Sequence, residues 1–265
     1  MSALPLSPES FATLDERQAE RLHDVLRSGL EVRRRNQFYL WVQGALQGFV
    51  PHELMVCVHG DLSRRSMVVE CFSSYPVREG DERQLVHRET GLAMQLVQAW
   101  VEGGERPLVI GSEPGDLPVP RRFEQTIAQL SLGRIAVHGL SAYPGFPATH
   151  FVFARLPSQP HGPLTHAMDL MVPCLHASYV RMLMADSPEA GAPAGRIHQV
   201  ITAREIEILQ WVRDGKSNQE IGLILGISPL TVKNHVQKIL RKLVVQNRAQ
   251  AVAKGISLKL IGNGG

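Results

Sequence analysis

Apolar residues on either side of Gly226-Ile227-Ser228 leave the C-terminal region of this chain little choice of fold. Downstream, Val232, Val236, Ile239 and Leu243 recur at the i, i+4, i+7, i+11 spacing of one helical face, while Lys233, Asn234, Gln237, Lys238 and Arg241 fall on the other sides. Ser228 is placed to accept backbone N–H bonds at the start of that helix. Pro229 fits its first position, where a missing N–H costs nothing. Upstream, Ser217 caps a short helix over NQEIGLILG, with Ile221, Ile224 and Leu225 facing inward and Gly226 ending it. Earlier still, Thr202 and Glu205 stand at the capping-box spacing, and Ile206, Leu209 and Val212 run on until Gly215. Two helices joined by so short a link predict a helix-turn-helix, in which the first helix braces the second and leaves its polar stripe free for a DNA major groove.

The stripe has the chemistry for that. Asn234 and Gln237 carry amides able to pair with an adenine edge, and Lys233, Lys238 and Arg241 carry charge for phosphates. Asn218, at the start of the bracing helix, is placed either for a phosphate or for support of the turn. His235 reads as a packing residue, and Lys242 and Arg248 read equally well as solvated charges. The charge balance is split in the same direction. From Ile197 onward ten basic residues stand against four acids, a net +6, so residues 1–196 carry −3 of the overall +3. No acid follows Glu220. A basic terminal piece on a slightly acidic body points to a polyanion partner for that piece alone.

The segment ITAREIEILQWVRDGKSNQEIGLILGISPLTVKNHVQKILRKLVVQNRAQAV resembles the DNA-binding domain of LuxR-type transcription regulators, with Thr202, Arg204, Glu205, Gly215, Ser217, Asn218, Glu220, Ile221, Ser228, Thr231, Val232, Lys233, His235, Lys242, Leu243 and Arg248 in register. The resemblance implies an all-α, four-helix unit whose recognition helix is Pro229–Leu243, with Lys233, Asn234, Gln237 and Lys238 at the positions that meet double-stranded DNA. Asn218, Thr231 and Arg241 complete the candidate set. It further implies a homodimer on palindromic half-sites and a surface for RNA polymerase. Val252, Ile256 and Leu260, spaced four apart, give a surface helix whose apolar side either closes the domain or pairs with its twin, and they are the candidate dimer face. Two positions depart from the family pattern. Gly222 stands where Ala is usual, and Val244 replaces a common Gly after the recognition helix, so a differently built helix end is expected. The closing TVKNHVQKILRKLVVQNRAQAV also resembles a narrower group of LuxR-type regulators encoded with exopolysaccharide and exosortase genes, which implies control of polysaccharide or biofilm genes.

Asp186 to Gln199 mixes Pro, Gly, Ala and polar residues without apolar period and reads as a linker between residues 1–185 and a DNA-binding domain at 200–262. Before it the pattern predicts strands at ELMVCVHG, SMVVECFSS, PLVIG, GRIAVHGLSA and ATHFVFARL. It predicts helices near Glu9–Ser28, Val32–Gly48, Arg83–Glu102, Arg121–Leu130 and Leu164–Met184. About five strands with flanking helices make an α/β sandwich that resembles the GAF-like, autoinducer-binding domains of some relatives. Their pocket pattern, paired Trp and Tyr with an Asp-Pro, does not transfer. Trp41, Tyr75, Tyr143 and Phe146 are candidates to line a cavity, but aromatics more often fill cores, and no ligand is named.

An apolar run of membrane-spanning length is missing, as is a leader with a basic start and an apolar middle, so the expectation is a cytoplasmic protein without membrane contact. Cys57, Cys71 and Cys174 fit neither a disulfide framework nor a metal pair, and the eleven histidines form no ligand motif, so neither metal nor cofactor is expected. GLSAYPG fails as a nucleophile elbow because Tyr143 occupies the second glycine's place, and an enzyme is not expected. Two other readings remain at this point: an anti-regulator that acts by heterodimerisation without DNA, and a small-molecule-gated sensor with an unrecognised N-terminal activity.

Overall fold

The structure, a computed structural model, describes residues 16–61, 66–75, 77–78, 80–143, 147–185, 196–198, 201–258 and 260–262. Its first domain is built on a sheet of order β3-β4-β5-β1-β2-β6. The strands β1 (Leu54–Asp61), β2 (Ser66–Ser73), β3 (Leu108–Ile110), β4 (Ile135–Leu140) and β5 (Ala148–Ala154) pair antiparallel, in registers such as Leu54 opposite Ser73 and Leu54 opposite Ala154. β5 is buried along its whole length, with Phe151 and Phe153 in the core on one face of the sheet and Val152 and Ala154 in the core on the other.

A sixth strand, β6 (Arg196–His198), lies parallel to β2, with Cys71 opposite Ile197. It falls inside the segment expected to be a linker. An edge strand such as β2 exposes a row of unpaired N–H and C=O groups, and an extended neighbour satisfies them. The rest of that segment, 186–195 and 199–200, lies outside the described residues.

Helices cover both faces of the sheet, as the sandwich expectation requires. On one face α1 (Glu16–Leu30), α2 (Arg35–Val42) and α6 (His161–Ala185) enclose Phe38, Trp41, Phe151, Phe153, Met171 and Tyr179. On the other, α3 (Asp81–Val86), α4 (Leu92–Glu102) and α5 (Arg121–Gln129) enclose Leu96, Trp100, Phe123, Val56 and Val152. Two expected helices are each broken in two. The Val32–Gly48 stretch is α2 followed by a 3-10 turn at Ala45–Gly48, and the Arg83–Glu102 stretch is α3, a turn, then α4. Each break has a glycine against backbone: a Cβ at Gly44 would meet Leu40 O at 2.7 Å, and one at Gly91 would meet His87 N and O at 2.6 Å. The first helix was expected from Glu9, and residues 9–15 lie outside the described set.

Buried polar groups tie these layers together. Glu70 of β2, only 4% exposed, accepts from Tyr179 Oη at 2.7 Å and from Arg35 Nε at 3.0 Å, so one carboxylate joins β2, α2 and α6. Asp116, in the Pro/Gly-rich loop after β3, takes both forks of the Arg134 guanidinium at 2.7 Å and faces His161 Nδ1 at 3.0 Å. Among the described residues no helix is long and apolar enough to cross a membrane.

The second domain is all helical: α7 (Ala203–Arg213), α8 (Asn218–Leu225), α9 (Pro229–Leu243) and α10 (Arg248–Ser257) around Ile208, Leu209, Ile221, Val232, Ile239 and Leu243. Leu40 of α2 packs against this core as well as its own.

Candidate nucleic-acid interface

Local capping sets every helix of the second domain. Thr202 Oγ1 accepts from Glu205 N, and Glu205 returns its carboxylate to Thr202 N at 2.9 Å. Ser217 and Glu220 repeat that exchange for α8. Gly226 ends α8 in the left-handed conformation, and Ser228 caps α9 with Pro229 in its first turn. These are the residues that a sequence reading places there, and each pair is only three positions apart.

Longer ties then fix α9 on its support. Glu205, 3% exposed, receives Lys242 Nζ at 2.6 Å, which joins α7 to the far end of α9. Arg204 donates to Leu225 O at 2.9 Å, and Arg248 donates to Lys216 O at 2.7 Å. Lys242 and Arg248, which the sequence left open as solvated charges, are braces. Gly222 lets the turn approach, because a Cβ there would meet Ile227 O at 2.7 Å. Burial alone would raise the Glu205 carboxyl, but Lys242 and Thr202 outweigh it and hold it below the ordinary carboxylate value.

With its back held, α9 turns Lys233, Asn234, Gln237, Lys238 and Arg241 to solvent, all exposed and all on one side. None of the three cations has a carboxylate partner among the described residues. Thr231 is half-buried and engaged with the cap, its Oγ1 2.8 Å from Ser228 Oγ, while Asn218 is half-buried in the first turn of α8. His235 is also half-buried. Leu230, which sequence reasoning passed over, is 65% exposed at the start of α9, where an apolar side chain suits a thymine methyl. Its signal was an apolar residue off the seam.

Two positions differ from expectation. Ile224, expected inward, is 46% exposed. α10 ends at Ser257, so Leu260 does not continue the stripe of Val252 and Ile256. Its N–H bonds back to Gly255 O at 2.9 Å and its side chain is buried in the domain core, because Gly255 allows Leu209 and Ile261 to close over the helix end. Val252 and Ile256 are half-buried against that same core.

The aromatic candidates of the first domain do not converge. Trp41 is in the core and donates to Val25 O at 3.1 Å, and Tyr143 is 71% exposed. Tyr75 borders a cleft of about 240 Å³, with the Arg155 guanidinium 3.8 Å from its ring centre. Phe146 lies outside the described residues.

Residues 199–254 match the family described as bacterial regulatory proteins, luxR family. Over 61 residues the chain is 51% identical to the transcriptional activator protein SolR of Ralstonia nicotianae, a match that covers 23% of this chain and 26% of SolR. Over 57 residues it is 53% identical to the transcriptional regulatory protein DegU of Brevibacillus brevis, covering 22% of this chain and 24% of that one. The matches thus span about a quarter of those relatives' length. A solved structure of Escherichia coli SdiA aligns over 93% of this chain and 100% of its own at 17% identity, with a TM-score of 0.42. The C-terminal domain is a LuxR-family helix-turn-helix.

Proposed function

We propose that the chain is a sequence-specific, DNA-binding transcription regulator that acts as a homodimer in the cytoplasm. The observation that carries this reading is the exposed set Lys233, Asn234, Gln237, Lys238 and Arg241, presented on one side of a helix whose other side is buried and ion-paired to its support. Asn234 and Gln237 discriminate bases, each bidentate contact contributing about 1–3 kcal/mol. Lys233, Lys238 and Arg241 hold phosphates and give binding its salt dependence. Asn218 and Thr231 flank the contact. Val252 and Ile256 are the remaining candidates for a dimer face, and RNA polymerase is the expected partner in activation.

The test is selection of bound sites from randomised duplex DNA by the full chain and by Asn234→Ala/Gln237→Ala. Wild type is expected to enrich a palindrome that the double variant loses, with nearly the same salt slope. If wild type enriches nothing at low salt, or if the variant enriches the same palindrome, the reading fails. Control of exopolysaccharide genes is the narrower form of this proposal and rests on the resemblance of residues 231–252 alone. It predicts that the selected palindrome lies upstream of polysaccharide export genes.

A further inference from the structure

The two domains meet where α2 lies against α9, with Leu40 touching both cores. Beside that contact Arg34 and Asn36 face Lys238, Arg241 and Lys242 across an open cleft of about 490 Å³. Among the described residues its lining is four cations and one amide, without an acid. Lys242 is answered by Glu205, but Arg34, Lys238 and Arg241 have no carboxylate partner among the described residues. Arg34 comes from one domain and the other two from the recognition helix, so like charges converge from opposite sides of a junction. Such an approach is repulsive unless an anion sits between them. The N-terminal turn of α2 borders the same space, and its positive pole adds to the attraction for one. Two guanidiniums with planar forks, plus an ammonium, match the oxygens of a phosphate.

We propose that this cleft is a phosphate site, and that filling it holds the N-terminal domain on the recognition helix. The phosphate has two available sources: the backbone of the DNA that α9 reads, or a free phosphorylated small molecule, for which a cleft of this size has room. With the first source the inference rests on the DNA-binding reading, and Arg34 enlarges the DNA contact. With the second it stands apart from that reading, and the ligand couples the first domain to α9.

The test uses the full chain with Arg34→Ala and Arg34→Lys, substitutions of an exposed side chain that makes no side-chain hydrogen bond among the described residues. One arm measures affinity for the selected duplex over a series of salt concentrations. The other follows the melting temperature against inorganic phosphate, with chloride at matched ionic strength as the control. If DNA is the source, Arg34→Ala weakens binding several-fold and lowers the salt slope by about one, and Arg34→Lys restores the slope. If a free phosphate is the source, phosphate raises the wild-type melting temperature saturably and Arg34→Ala abolishes that rise, with duplex affinity unchanged in phosphate-free buffer. An Arg34→Ala variant that equals wild type in both arms overturns the proposal. Loss of the site and loss of the regulator reading are distinguishable: a chain that binds no duplex yet shows the Arg34-dependent phosphate response keeps the site alone. One that selects a palindrome through Asn234 and Gln237 with no Arg34 dependence keeps the regulator reading alone.

Discussion

Val244 is a β-branched residue held at φ 56°, ψ 54° at the end of α9, 65% exposed and with little to hold it there but the backbone bonds that close the helix. That conformation costs a non-glycine residue about 1–2 kcal/mol. The sequence departs from glycine at this position, which suggested a different helix end, yet the left-handed end is kept and Val244 bears the strain. Val244→Gly is therefore expected to stabilise the domain by about 1 kcal/mol in chemical denaturation. Glu205 makes the opposite point. Its carboxyl sits below the ordinary value of 4.5, so its stabilisation is present above the unfolded-state pKa and is lost as pH falls through the folded one. Glu205→Gln is expected to lower stability at pH 7 by about 2 kcal/mol, an effect that shrinks to nothing in strong acid. The caps at Thr202, Ser217 and Ser228 were legible because a cap and its partner stand three residues apart. The braces were not, since Lys242 and Glu205 are 37 positions apart and Arg248 and Lys216 are 32.

At the level of elements, one carboxylate ties the loop after β3 to Arg134, just before β4, and to the start of α6, beside the loop's own backbone bonds. Arg134, whose side chain is 6% exposed, is ion-paired to Asp116 through Nε and Nη2 and donates from Nη1 to Gln159 O at 2.8 Å. Removing the acid leaves a buried guanidinium unpaired, so Asp116→Ala is expected to cost about 3–5 kcal/mol. The double variant with Arg134→Leu should recover much of that, which a double-mutant cycle by denaturation measures. The five antiparallel strands were readable because each carries a short, mostly apolar stretch bounded by turn-forming residues. The broken helices were not, because the apolar pattern continues through the turns at Gly44 and Gly91 and only close backbone contact reveals the break. β6 was invisible for a related reason: its partner strand is far away in sequence, and its own residues carry no strand pattern.

Across the whole molecule, acid sensitivity should centre on the sheet's histidines. His150 is completely buried, 5.0 Å ring to ring from Trp100, and burial first, then His138 and His59, bring its pKa down from 6.5 to about 4. His59 and His176, which meet at Thr149 Oγ1 at 2.7 and 2.9 Å, are lowered too, chiefly by burial. A depressed pKa means that the unfolded chain takes up protons first, so the stabilisation is complete above pH 6.5 and is lost as pH falls toward 4. For His150 the loss amounts to about 3 kcal/mol. The melting temperature of wild type should fall across that window, and His150→Leu should flatten the slope.

Pairing of Arg196–His198 with the edge of the sheet also fixes a leash. Two positions separate His198 from Ile201, the first described residue of the helical domain, and the three extended steps from one to the other reach at most about 11 Å. Released from β2, the fifteen residues between Ala185 and Ile201 would reach about 50 Å. In a dimer of the kind proposed above, these three backbone pairings would set how far one reading head could stand from its twin, and so which half-site spacings it could accept.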